Sequence, residues 1–114
     1  MAMITAEQAR ADIINAWTEK QLQEHIVGLA RGLGWKAYHT YDSRRSEPGY
    51  PDLHLVHPIQ RRSLFRELKS RRGVVSPDQI EWGQALAAAG QDFDVWRPAD
   101  VINNRVLYVL QGIC

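Results

Sequence analysis

Apolar residues at Leu22, Ile26, Leu29, Ala30 and Leu33 recur every three or four positions, which predicts an amphipathic helix. Thr18 stands three residues before Gln21 in the form of a capping box, and Gly32 and Gly34 mark the far end. Upstream, residues 5–16 form a shorter amphipathic helix with Ile13, Ile14 and Ala16 on its apolar side. After the glycines the period changes. The aromatic stretch "WKAYHTY" predicts a strand, and "DSRRSEPG" a polar loop. Two further strands are expected, Asp52 to Val56 and Ser63 to Ser70, joined by a turn around Pro58 to Arg62. Ser76, Pro77 and Gln79 then supply a hydroxyl cap, a proline at the first helical position and a glutamine at the third. The helix they start carries Ile80, Trp82, Leu86 and Ala89 and stops at Gly90. "DFDVWRP" is a short strand closed by Pro98. In "ADVINNRVLYVLQGIC" a helical turn at Val101 to Asn104 is expected before a last strand through Val106 to Leu110. The order of elements predicts an α/β fold around a central mixed sheet.

Composition places these elements in one unit. A chain of 114 residues that is 45% hydrophobic can bury one core, and no low-complexity stretch or repeat divides it, so residues 1–114 read as a single domain with residues 1–17 as an N-terminal helical arm. The net charge of +1 does not announce a nucleic-acid partner. Its distribution says more: Arg61, Arg62, Arg66, Lys69, Arg71 and Arg72 face a single acid, Glu67, with Arg44 and Arg45 upstream. A solvated face and a phosphate-binding surface both explain such a cluster. The single cysteine, Cys114, excludes a disulfide framework and a thiolate metal cluster. "MAMITAEQAR" is unlike a signal peptide and no apolar run approaches the length of a membrane span, so the cytoplasm is the expected compartment and a membrane is not an expected partner.

The candidate chemistry lies in "GYPDLHLV" and "FRELKS". Side chains alternate across a strand, so Glu67 and Lys69 share one face while Leu64 and Leu68 take the other. A charged pair directed together from within a strand is costly unless it is matched. If the strand opened by Asp52 pairs with this one, Asp52 lies beside Glu67. A divalent cation then keeps two neighbouring carboxylates ionised. Hard oxygen ligands suit Mg²⁺ or Mn²⁺, which retain waters and accept phosphate oxygens. Lys69 beside such an ion can stabilise charge on a phosphate under attack. Pro51 fits the first residue of a strand, where its missing N–H costs nothing.

Together these residues resemble the PD-(D/E)xK nuclease superfamily: "PD" at 51 and 52, then "ELK" at 67 to 69. "TEKQLQ", "GW", "RRSEPGYPDLHLV", "GVVSPDQIEWGQAL" and "AAGQDFDVWRP", in this order, look like the small stand-alone VRR-Nuc proteins of phage and bacteria, over roughly residues 18–98. The resemblance implies a restriction-endonuclease-like core, with helices flanking a mixed sheet, and hydrolysis of DNA phosphodiesters with Mg²⁺ or Mn²⁺. It implies that Asp52, Glu67 and the main-chain carbonyl of Leu68 ligate the metal and that Lys69 is the catalytic lysine. Glu19 matches the acid of the first helix and Gln79 the glutamine after the core motif. Selectivity for branched or four-way-junction DNA and a homodimer are further implications.

Other readings accompany these. Asp52 alone is explained as a turn aspartate, and Glu67 with Lys69 as an exposed ion pair on an edge strand. Glu19 suits the first turn of a helix in any protein, with Glu24 as its competitor and Gln23 as a neighbour on the same face. Gln79 is explained by its cap alone. Arg44, Arg45 and Ser46 before the metal strand, and Arg71 and Arg72 after Lys69, are expected to contact phosphate. His54, on the face of Asp52, is expected as a core histidine, and Arg66 implies an uncovered face or a partner. Against the endonuclease stand a non-catalytic DNA-binding module on the same fold and an RNA or sugar-phosphate hydrolase using the same site.

Overall fold

A computed structural model describes residues 3–40 and 46–113. Helix α1 spans Ala6–Asn15 and α2 Glu19–Gly32, followed by strands β1, Lys36–His39, β2, Leu53–His57, and β3, Arg62–Leu68. Helix α3, Pro77–Ala88, connects to β4, Asp92–Trp96, and two short helices close the chain: α4, Pro98–Ile102, and α5, Arg105–Gln111. The four strands lie in the order β1-β2-β3-β4. The first three are antiparallel neighbours and β4 runs parallel to β3, so the sheet is mixed as the element order predicts. The parallel pair requires a crossover, and α3 supplies it.

Register fixes the two faces. Leu55 pairs with Leu64, Leu53 with Arg66, and Leu68 with Trp96, so these side chains share one side of the sheet. That side is covered by Leu22, Ile26 and Ala30 of α2 and Val106 and Leu110 of α5, all fully or almost fully buried. Each of the larger side chains among them, Leu22, Ile26, Val106 and Leu110, contributes about 1.5–3 kcal/mol through burial. Arg66 departs from the expectation of an uncovered face. It is 3% exposed, its guanidinium lies 4.6 Å from the Trp96 ring centroid, and it pairs with Asp92 at 2.9 Å. On the other side stand Tyr38, His54, Val56, Phe65, Glu67, Phe93 and Val95, and α3 covers the β4 end of it.

The expected last strand is not formed. Residues 105–111 are the helix α5, whose buried residues Val106 and Leu110 lie one helical turn apart. "RVLYVL" satisfies both a period of two and a spacing of four, and tertiary donors decide between them. Trp35 Nε1 and Gln60 Nε2 donate to the Leu110 carbonyl at 2.9 and 3.1 Å, and Arg62 Nη1 to that of Val109 at 2.6 Å. Carbonyls in the last turn of a helix need partners beyond it, and here the Val109 carbonyl also accepts the Gly112 N–H of the C-cap at 3.1 Å. His54 is also no core residue. It is half-buried on the second face, stacked on Phe65, and burial holds its pKa below the usual imidazole value.

Candidate active site

Asp52 immediately precedes β2, and the strand pairing carries it to the β3 end that holds Glu67. One of its carboxylate oxygens, Oδ2, accepts the Leu68 N–H at 2.8 Å, which fixes the carboxylate against that strand. Glu67 is 2% exposed. Its Oε1 accepts from Gln79 Nε2 at 3.1 Å and lies 4.0 Å from Lys69 Nζ. Among the described residues its Oε2 is buried with no hydrogen-bond partner of normal geometry, and Asp52 is the neighbouring carboxylate. The Glu67 carboxyl is pushed up to about 9, first by burial, then by hydrogen bonding to and repulsion from Asp52, with Glu19 adding to the rise and Lys69 opposing it. Protonation lets Glu67 share a hydrogen bond with Asp52, whereas ionisation sets two like charges side by side.

Two capping boxes deliver the remaining groups. Thr18 and Gln21 close the N-terminus of α2, placing Glu19 at its first residue with the carboxylate 3.6 Å from Lys69 Nζ. Ser76 and Gln79 do the same for α3. Here the Gln79 Oε1 accepts the Ser76 N–H at 2.9 Å, which turns the amide nitrogen toward Glu67. Gln79 is thus both a cap and a site residue. The approach of α3 depends on Gly49, whose φ is +85° and whose missing Cβ would sit 2.4 Å from the Asp78 backbone. Glu19, Asp52, Glu67, Lys69 and Gln79 therefore converge, while Gln23 and Glu24 face a separate cavity with Arg31 and His39. Arg71 and Arg72 are exposed on the turn after Lys69, and Ser46 is half-buried before Pro51. Arg44 and Arg45 lie outside the described residues.

A model of the VRR-NUC domain matches residues 2–100. The chain belongs to the VRR-NUC domain family. Its membership is consistent with the PD-(D/E)xK superfamily and marks it as a nuclease-type domain. Two solved structures agree in fold. One, a VRR_NUC domain, is 19% identical with a TM-score of 0.65 and covers 81% of this chain and 98% of its own. The other, a VRR_NUC domain protein, is 22% identical with a TM-score of 0.61 and covers 85% of this chain and 92% of its own. No curated protein matches the chain.

Whether this VRR-NUC site suits a hard cation can be judged from its atoms. Among the described residues no three His, Cys, Asp or Glu side chains form a ready cage. Two carboxylates with an unpartnered buried oxygen are the donor set that Mg²⁺ or Mn²⁺ takes when waters and phosphate complete its shell. The residues fit such an ion. A cavity of about 390 Å³ beside α3 is lined by Glu47, Asp78, Glu81 and Trp82, and its carboxylates make it unsuited to phosphate. The sequence reading missed Arg97. Its Nη1 donates to the carbonyls of Ser70 and Gly73 at 2.9 and 2.7 Å, pinning the turn that carries Arg71 and Arg72 directly after Lys69. The quoted "VWRP" contained the only signal, an arginine between a strand and a helix-starting proline.

Proposed function

We propose that this VRR-NUC domain is an Mg²⁺- or Mn²⁺-dependent endonuclease that hydrolyses DNA phosphodiester bonds, with a preference for branched or junction DNA and a homodimer as its working form. The observation that carries the reading is the pair of a buried Glu67 and a half-buried Asp52 with Lys69 alongside. Asp52, Glu67 and the Leu68 carbonyl would hold the cation, which supplies Lewis acidity and neutralises charge at the scissile phosphate.

The protein's own groups do the rest. Lys69, nearly buried, has its ammonium held between the carboxylates of Glu19 and Glu67 and would stabilise the phosphate oxygen that gains charge. Glu19 is half-exposed and can also accept a hydrogen bond from water at the site mouth. Gln79 keeps Glu67 oriented through an amide that the α3 cap has already fixed. Arg71 and Arg72 contact the flanking backbone. Attack by water in line with the leaving 3′-oxygen breaks the P–O3′ bond and gives 5′-phosphate and 3′-hydroxyl ends.

Labelled linear, flap, splayed and four-way DNAs incubated with Mg²⁺ or Mn²⁺ test this directly. Cleavage is expected for wild type and loss of it for Asp52→Ala and Lys69→Ala, with circular dichroism unchanged. Wild-type activity in either variant refutes the assignment. Metal-independent binding with steep salt dependence and no cleavage under any divalent ion would make the domain a binding module instead.

A further inference from the structure

Among the described residues, the sheet face that carries Glu67 is not covered by helix along its whole length. Tyr38 of β1 pairs with His54 of β2, His54 with Phe65 of β3, and Phe65 with Phe93 of β4. Four aromatic side chains thus form one row across the whole sheet. Among the described residues only its β4 end lies beneath a helix, where Phe93 packs so closely on α3 that a Cβ at Gly83 would meet its ring at 2.4 Å. His54 and Phe65 are stacked, with ring centroids 4.2 Å apart and an interplanar angle of 9°, and His54 Nε2 is held by Ser63 Oγ at 2.7 Å. Tyr38, at the open end, is 59% exposed.

The neighbouring rows give this one its meaning. Asp52 and Glu67 each lie two residues along the same strands from His54 and Phe65, a step of about 7 Å. Lys36, exposed, lies two residues from Tyr38 on the other side. One face therefore presents a cation, then an aromatic row, then the acidic pair with Lys69. Aromatic rings next to cationic groups that can take up phosphate are the recognition chemistry of unpaired bases, because every base has a π-face and inside a duplex both faces are covered by the neighbouring base pairs. Such cross-strand aromatic pairs stabilise the sheet, but Tyr38 keeps more than half of its surface open to a ligand.

We infer that unpaired bases of a DNA strand extend this row by stacking at its open end on Tyr38, next to the scissile phosphate, so that the row serves as a base-stacking platform. The inference rests on the nuclease reading and sharpens it: the substrate carries single-stranded nucleotides, as at a flap, a splayed end or an opened branch.

Binding in EDTA, where no divalent-dependent step contributes, tests the platform apart from the chemistry. Fluorescence anisotropy would compare a labelled oligothymidylate, an abasic oligomer of equal length and a blunt duplex at one salt concentration. The oligothymidylate should bind at least about fivefold more tightly than the abasic strand. Tyr38→Ala should weaken the oligothymidylate by about fivefold or more and leave the abasic strand within about twofold, and Tyr38→Trp should restore affinity. Phe65→Leu, which keeps the apolar packing, should show the same selectivity. Equal affinity for thymidylate and abasic strands, or equal weakening of both by Tyr38→Ala, overturns the platform. Cleavage by wild type despite that outcome would leave the nuclease reading standing. Base-dependent binding without cleavage under any divalent ion would uphold the platform and remove its catalytic partner.

Discussion

Glu67→Gln should make the metal-free protein more stable while abolishing cleavage. In the wild type the Glu67 carboxyl is displaced from an ordinary value of 4.5 to about 9. An acid whose pKa is raised by folding stabilises the fold fully below its unfolded value and loses that contribution as pH climbs to the folded value. The affected window is therefore pH 4.5 to about 9. At about 1.4 kcal/mol per unit the displacement bounds the cost at about 6 kcal/mol. Relaxation and water entry reduce this to an expected gain of about 1–3 kcal/mol for the variant at pH 8. Glutamine keeps the acceptor for Gln79 at Oε1 and replaces the second, unpartnered oxygen by an uncharged N–H donor beside the Asp52 carboxylate. Urea denaturation in EDTA, repeated at several pH values, measures the effect, as does thermal melting with a shift of about 4 °C per kcal/mol. The gain should shrink toward zero by pH 5, and excess Mn²⁺ should reverse the order by stabilising the wild type alone. A variant that is destabilised at pH 8 in EDTA, or a gain independent of pH, refutes the electrostatic account of the pair.

Two further substitutions examine how the site is held. Gly49→Ala combines a positive φ with a Cβ at 2.4 Å from the Asp78 backbone, and should cost about 2–4 kcal/mol in urea denaturation; a change below about 0.5 kcal/mol would show that α3 is not locked there. Arg97→Ala removes the donors to Ser70 and Gly73, and should cost about 2–3 kcal/mol and lower kcat more than it raises KM; Arg97→Lys should recover part of the loss, and full activity of Arg97→Ala would sever this turn from Lys69.

The element order and the mixed sheet are readable from the chain because capping boxes and apolar periods are local properties. Thr18 with Gln21 and Ser76 with Gln79 start helices where their spacing says they should. Alternation in "FRELKS" likewise separates Glu67 from Leu68 before any fold is known. The failures share one origin. "RVLYVL" fits two periods, and the choice fell to Trp35, Gln60 and Arg62, which are 45 or more residues away and cap its carbonyls. Arg66 looked uncovered because Asp92 and Trp96, which match its charge and its flat face, come from a strand that joins the sheet only after α3.

What the sequence determined by itself is therefore the set of local decisions: which residues start helices, which alternate, and that Asp52, Glu67 and Lys69 stand in an order suited to a shared site. Only the tertiary structure decided how strongly those groups act on one another. The rise of the Glu67 carboxyl comes from burial and from Asp52 across a strand pair, and the aromatic row exists only because separate strands align in register. Burial and register depend on contacts between residues remote in the chain, and no local pattern encodes the strength of such contacts.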